Sequence, residues 1–359
     1  GARGVDALPV RVAEDGVVSV DGEPIGHLEG FRFKVDPAAR HGDMKRLLAA
    51  AERRLGDELG RRARALAGDE DPAFSLATDP GRPVAIFWRG DVVARLSRGR
   101  GLLGPRLTLY RALDALAPVE RASIEARLEA WLATSVAHHL APLAAIAAAA
   151  RDKAQPPQLR ALLAPLAEAG GVIDRRGLET TVVALDRAMR QQAAKLGVKI
   201  GTLDLFVPAL LKPEPMRWRL ALAAAQEDGV MPDLPPAGAQ VVSAPAARAA
   251  CEAHARAGFR PLGAQMLRID LVERLARLAH DKREGRTAFA PDPALATSLG
   301  LRPASFAQLM LALGFRQVDS GAHPHPNWVW RGPRRAAPAA APRRDNAFAA
   351  LAALRSADG

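Results

Sequence analysis

Arg95, Arg98, Arg100 and Arg106, interleaved with Gly99, Gly101 and Gly104, are the residues whose types and spacing best suit chemistry. A guanidinium offers several N–H donors to phosphate oxygens, and glycine, lacking Cβ, lets backbone amides approach the same anion. That chemistry is contact with a polyanion backbone; the competing reading is an ordinary exposed basic turn. A second candidate is Arg217-Trp218-Arg219, an aromatic face between guanidinium groups. Such a face stacks a single-stranded base, and the plainer reading makes Trp218 a packing residue. A third set, Arg302, Ser305 and Gln308, is spaced by three along an expected helix, with His323, His325, Asn327 and Arg331 following it. Base readout needs several bidentate donors, and one arginine with one glutamine is few; docking a protein is the alternative for this region.

Enzyme chemistry is absent at the level of motifs. The chain holds no Gly-x-x-x-x-Gly-Lys-Ser/Thr phosphate loop, no Gly-x-Gly-x-x-Gly, no His-Glu-x-x-His and no nucleophile elbow. Cys251 is the sole cysteine, and with His254 it offers at most two of the ligands zinc requires. No metal site is expected. His138 and His139 are adjacent and so diverge on a helix.

Positioning of the third set falls to Arg268–Arg331. Leu271, Val272, Leu275, Leu278 and Ala279 recur at helical spacing over Ile269–Glu284. Asp292 and Pro293 then cap a short run, Ala294–Leu299, that Gly300 closes. From Pro303 the residues Phe306, Leu309, Met310 and Leu313 share a face until Gly314. Phe315–Val318 and Trp328–Arg331 read as strands around a polar tip. Helix, glycine turn, helix and two strands make a winged helix.

Of 359 residues, 49% are hydrophobic but only 4% aromatic, and the formal net charge is +11. The charge is concentrated: residues 89–111 hold six arginines against one aspartate, and residues 302–359 eight arginines against three aspartates. Localised positive charge suits a polyanionic partner. A lone cysteine fits a reducing cytoplasm. No run of eighteen apolar residues occurs, and the first residue, Gly1, opens no signal-peptide pattern, so the sequence reads as starting inside a longer protein.

The expected fold is mostly α with small β-hairpins, an α+β class. Val17–Lys34 reads as a hairpin turning at Asp21-Gly22, followed by a helix over Asp43–Ala67. Val84–Leu96 and a helix over Pro118–Leu140 repeat the pattern, with Gly22, Ile25 and Leu28 recurring as Gly90, Val93 and Leu96 at an offset of 68. Residues 1–150 are therefore expected to be two hairpin-plus-helix units, either duplicated or independent. Residues 151–230 read as helical, including Leu178–Leu196 and Gly197–Pro208, with Thr202–Leu211 in the core and a helix over Met216–Ala225. Residues 231–267 read as a Pro-rich linker with a short helix, 268–331 as the winged helix, and 332–359 as a basic disordered tail. In that tail Phe348, Leu351 and Leu354 fall at helical spacing, which suits docking on a protein partner.

Asp21-Gly22-Glu23-Pro24-Ile25-Gly26, Phe87-Trp88-Arg89-Gly90, Lys195–Gly201, Phe206–Pro213 and the closing Phe348-Ala349-Ala350-Leu351 together resemble the C-terminal half of alphaproteobacterial superfamily-two helicases, similar to the mitochondrial degradosome RNA helicase. The resemblance implies a parent that hydrolyses ATP with magnesium and unwinds RNA or hybrid duplexes, its motor lying N-terminal to this segment. No catalytic residue carries over, because no phosphate loop is present. The resulting expectation is a non-catalytic accessory region contacting RNA or DNA, single-stranded or hybrid, in the cytoplasm and off membranes. The alternative is a scaffold that docks a nuclease or other partner through the tail or winged helix.

Overall fold

The computed structural model describes residues 9–13, 15–37, 44–318 and 326–332. Its class is α+β, with helices packed on small antiparallel sheets. Strands β1 (Val10–Val12), β2 (Val17–Val20), β3 (Glu23–Glu29) and β4 (Arg32–Val35) form a meander, and α1 (Met44–Gly68) follows. Val18, Val20, Ile25 and Leu28 face inward by strand alternation and pack on Ala51 and Leu55 of α1. The expected hairpin is thus the middle of a four-stranded sheet.

A second meander follows: β5 (Phe74–Ala77), β6 (Ala85–Trp88), β7 (Asp91–Ser97) and β8 (Arg106–Leu109), then α2 (Pro118–His139). Its central register reproduces the first at the offset of 68: Val17↔His27 becomes Ala85↔Arg95, and Val20↔Glu23 becomes Trp88↔Asp91. The bulge at Val18/Ser19 recurs at Ile86/Phe87. Both turns demand positive φ at two residues, as a type I′ hairpin does: Asp21 and Gly22 at 52° and 86°, Arg89 and Gly90 at 49° and 95°. Arginine is unfavourable there. Arg89 is held by Asp69, whose Oδ2 accepts from Arg89 Nε at 2.8 Å and from Trp88 Nε1 at 2.9 Å.

Helices α2 and α3 (Ala141–Arg151) meet at a bend of 89°, and α4 (Pro157–Glu168) lies beside α3. Among the described residues no single helix is long and apolar enough to cross a membrane; the α2–α3 pair passes on length and composition, and Leu128, Trp131, Leu143 and Ile146 from it lie in the core.

The middle of the chain departs from the all-helical expectation. A three-stranded sheet, in the order β10 (Lys199–Ile200), β11 (Asp204–Phe206), β9 (Val172–Asp174), occupies part of Gly197–Pro208. The expected helix over Leu178–Leu196 is broken into α5 (Glu179–Val183) and α6 (Arg187–Lys195), because Asp186 turns its carboxylate onto the Met189 N–H at 2.8 Å and caps a new start. Leu205, Phe206, Val207 and Leu210 are buried as expected. Helix α7 (Pro213–Gln226) is buried on almost every side, with Trp218, Arg219, Leu220, Ala221 and Leu222 consecutive in the core.

The expected linker is also structured. Residues 231–245 contribute buried Met231 and strand β12 (Val241–Ser243), which joins β13 (Phe259–Leu262) and β14 (Gln265–Arg268) in a sheet of order β12-β14-β13, with α8 (Arg248–Arg256) between β12 and β13. Four prolines in that segment suggested a tether; proline at a sheet margin is equally compatible with order.

Helices α9 (Ile269–Asp281), α10 (Pro293–Ser298) and α11 (Pro303–Ala312) precede the hairpin β15 (Phe315–Val318) and β16 (Asn327–Trp330). Phe289 adds a bridge to Trp328 through two backbone hydrogen bonds of 2.8 and 3.0 Å. A second core, including Leu271, Leu275, Leu309, Phe315 and Trp328, closes these elements.

Candidate nucleic-acid interface

The β7–β8 connection is where the two meanders differ most. Register pairs on β4 and β8, Glu29↔Arg32 against Ser97↔Arg106, shift the offset from 68 to 74. The two-residue turn Gly30-Phe31 is therefore replaced by residues 98–105, six residues longer. Phe31 plugs the first unit into the second, its ring 6.0 Å from Trp88. The longer loop plugs instead toward α7, with Leu102 against the backbone of Gly170 and the Arg219 side chain.

The loop's shape is fixed from inside and outside. Arg100 N–H donates to Gly104 O at 2.9 Å and Gly104 N–H to Gly101 O at 3.0 Å. A Cβ on Gly99 would lie 2.0 Å from Gly104 O, so only glycine fits. The C-terminal end of α7 supplies the brace: Asp228 Oδ1 accepts from Arg98 N–H at 3.1 Å, Gln226 O from Arg98 Nε at 2.8 Å, and Gln226 Nε2 donates to Gly101 O at 2.7 Å. These bonds span more than a hundred residues of sequence, which is why no local pattern announces them.

The four arginines consequently divide. Arg98 serves the brace and corrects the expectation that all four face a ligand. Arg95, Arg100 and Arg106 are exposed, and their side chains make no ion pair or hydrogen bond with a described residue. Arg95 pairs with Thr108 and Arg106 with Ser97, which puts the two arginines diagonally on the solvent face of neighbouring strands, about 7–8 Å apart. Phe87, between the core-facing Ile86 and Trp88, shows a half-buried ring to that same face. The sequence reading passed over Phe87; strand alternation within Val84–Trp88 was the available signal.

Trp218 is corrected outright. It is 5% exposed, stacks on His139 at 5.0 Å and 16°, and tilts against Trp131 at 5.9 Å, so no base reaches its face. Burial lowers the His139 pKa, with the neighbouring His138 adding to the effect. Arg217 is exposed and paired with Glu214. Arg219 is buried without a carboxylate partner; Leu210 O and Arg256 O accept from it, and burial pushes its pKa down to about 10.

The α11 set is divided as well. Ser305 is 2% exposed and belongs to the packed face with Leu309 and Met310, which corrects its inclusion among the residues that contact nucleic acid. Arg302 and Gln308 are exposed, but the β13–β14 hairpin covers the start of the helix: Gln265 Oε1 accepts from Arg302 N–H at 2.7 Å, its Nε2 donates to Gly300 O at 3.0 Å, and Gly263 lies under Gln308. The start of this helix is thus packed against the hairpin. Arg331 is exposed and Asn327 half-buried. His323, His325, Phe348, Leu351 and Leu354 lie outside the described residues.

No family model, curated protein or solved structure matches the chain.

Proposed function

We propose that this chain is a non-catalytic accessory region of an ATP-dependent RNA or DNA helicase, and that it holds the phosphate backbone of a single strand. The observation that carries this reading is the braced loop of residues 98–105, which with the adjoining strand ends presents Arg95, Arg100 and Arg106 free of any described carboxylate. Keeping three like charges close together and unpaired is unfavourable unless a polyanion neutralises them. Phe87 beside them offers a ring on which a base can stack.

In this reading the two meanders are copies of one unit, and the second copy acquired the loop. The equivalence of register, bulge and positive-φ turn supports it. The C-terminal elements from α9 to β16 are a winged helix whose third helix packs against the neighbouring hairpin; the isolated Phe289–Trp328 bridge, which ties the chain before α10 to the hairpin, supports this. ATP and magnesium belong to the motor of the parent, and the phosphate loop they require has no counterpart in this sequence. The test is fluorescence anisotropy with labelled single-stranded RNA and DNA at several salt concentrations. Saturable binding that weakens with salt supports the reading, and absence of binding at low salt removes it.

A further inference from the structure

A second set of cations gathers beside α9. Lys199 of β10 and Arg274 and Arg277 of α9 line one cleft of about 450 Å³ with Asp270 and Leu278. Asp270 also lines a neighbouring cleft, whose other walls include Lys212, Pro208, Pro213, Pro235 and Pro236. The two clefts adjoin at Asp270 and are taken together as a groove. Asp270 is its one carboxylate, and Arg268 already occupies it with hydrogen bonds of 2.7 and 2.9 Å. Lys212, Arg274 and Arg277 are exposed and, among the described residues, unpaired. Lys199 is half-buried, with its ammonium over the Phe206 ring at 5.6 Å.

We infer that this groove is a second phosphate-contacting segment for the same strand that meets the arginine loop. The inference rests on the function proposed above. Helix α7 has 14 residues, so its two ends are about 20 Å apart. The loop is braced on its C-terminal end through Gln226 and Asp228, and the groove opens at its N-terminal end through Lys212 and Pro213. Cations tracking a backbone past apolar walls are what sequence-tolerant single-strand binding requires.

The experiment uses the full chain and single-stranded RNA of about 20 nucleotides, long enough to span both sites. The expected result is that Lys199→Ala/Arg274→Ala/Arg277→Ala weakens binding roughly tenfold or more and lowers the slope of log K against log salt by about 2. Arg274→Lys/Arg277→Lys keeps binding near the wild-type value and shows that folding is not the cause. Wild-type affinity in the triple variant, with Arg95→Ala/Arg100→Ala/Arg106→Ala still defective, overturns the groove and leaves the proposed function standing. No binding by the wild type overturns both, and polyglutamate competing as well as RNA overturns the assignment to a nucleic-acid strand.

Discussion

Asp174 and Asp204 stand directly opposite each other on β9 and β11, and a single guanidinium joins them. Arg260 of β13 donates from Nη1 to Asp204 Oδ1 at 2.6 Å and from Nη2 to Asp174 Oδ2 at 3.2 Å. Two facing carboxylates repel, so Arg260 both relieves the pair and ties the middle sheet to the C-terminal one. Burial pushes Asp204 up to about 6 against the pull of Arg260, with Asp174 adding to the rise. Burial also acts upward on Asp174, but the Arg176 side chain and N–H, together with Arg260, hold it below the usual carboxylate value.

This pair gives stability a defined pH dependence. A carboxylate whose folded pKa is raised contributes stability that is full below its ordinary 3.8 and lost as pH rises through about 6. Relative to Asp204→Asn, the wild type should therefore lose on the order of 2–3 kcal/mol between pH ~4 and ~7. Urea melts across that range measure it; a constant difference between the two proteins contradicts the assignment.

Removing the guanidinium should cost more than removing either partner's charge. Arg260→Ala leaves two facing carboxylates uncompensated, and a destabilisation of about 3–5 kcal/mol at neutral pH is expected. The loss should shrink as pH falls below the Asp204 midpoint, because a protonated carboxyl no longer needs the partner. Equilibrium unfolding at two pH values checks this, and an equal loss at both contradicts it.

The loop should be more sensitive to shape than its exposure suggests. Gly99→Ala drives a Cβ to 2.0 Å from Gly104 O and must displace the segment that carries Arg100. The expected outcome is several-fold weaker RNA binding with little change in thermal midpoint, since the core under β7 and β8 is untouched. Unchanged affinity in this variant would mean the loop's conformation does not matter to binding.

Long elements were legible in the sequence, as were short ones set off by a cap or turn such as α10, β15 and β16; the short strands of the middle of the chain were not. The helices α1, α2, α9 and α11 follow apolar spacing over ten or more residues, and the Asp21-Gly22 turn identifies its hairpin. Strands of two to four residues such as β9, β10 and β13 contain too few positions for a period to show, and the proline-rich segment before β12 resembles a tether in composition alone. Gly22, Ile25 and Leu28 were enough to suggest the offset of 68, while the six-residue insertion became visible only with the β4 and β8 registers. At the site, residue type singled out the arginines only as a group. Which were free depended on Gln226 and Asp228, far away in the chain, just as Trp218 was withdrawn from solvent by His139 and Trp131.

In the proposed function Arg95, Arg100 and Arg106 neutralise phosphates of a single strand. Anisotropy of labelled RNA with the wild type and with Arg95→Ala/Arg100→Ala/Arg106→Ala, each across a salt series, tests it most directly. Three lost phosphate contacts should flatten the slope of log K against log salt by about 2, from roughly 0.7 per contact on single strands. A triple variant that binds with the wild-type slope and affinity would contradict the account.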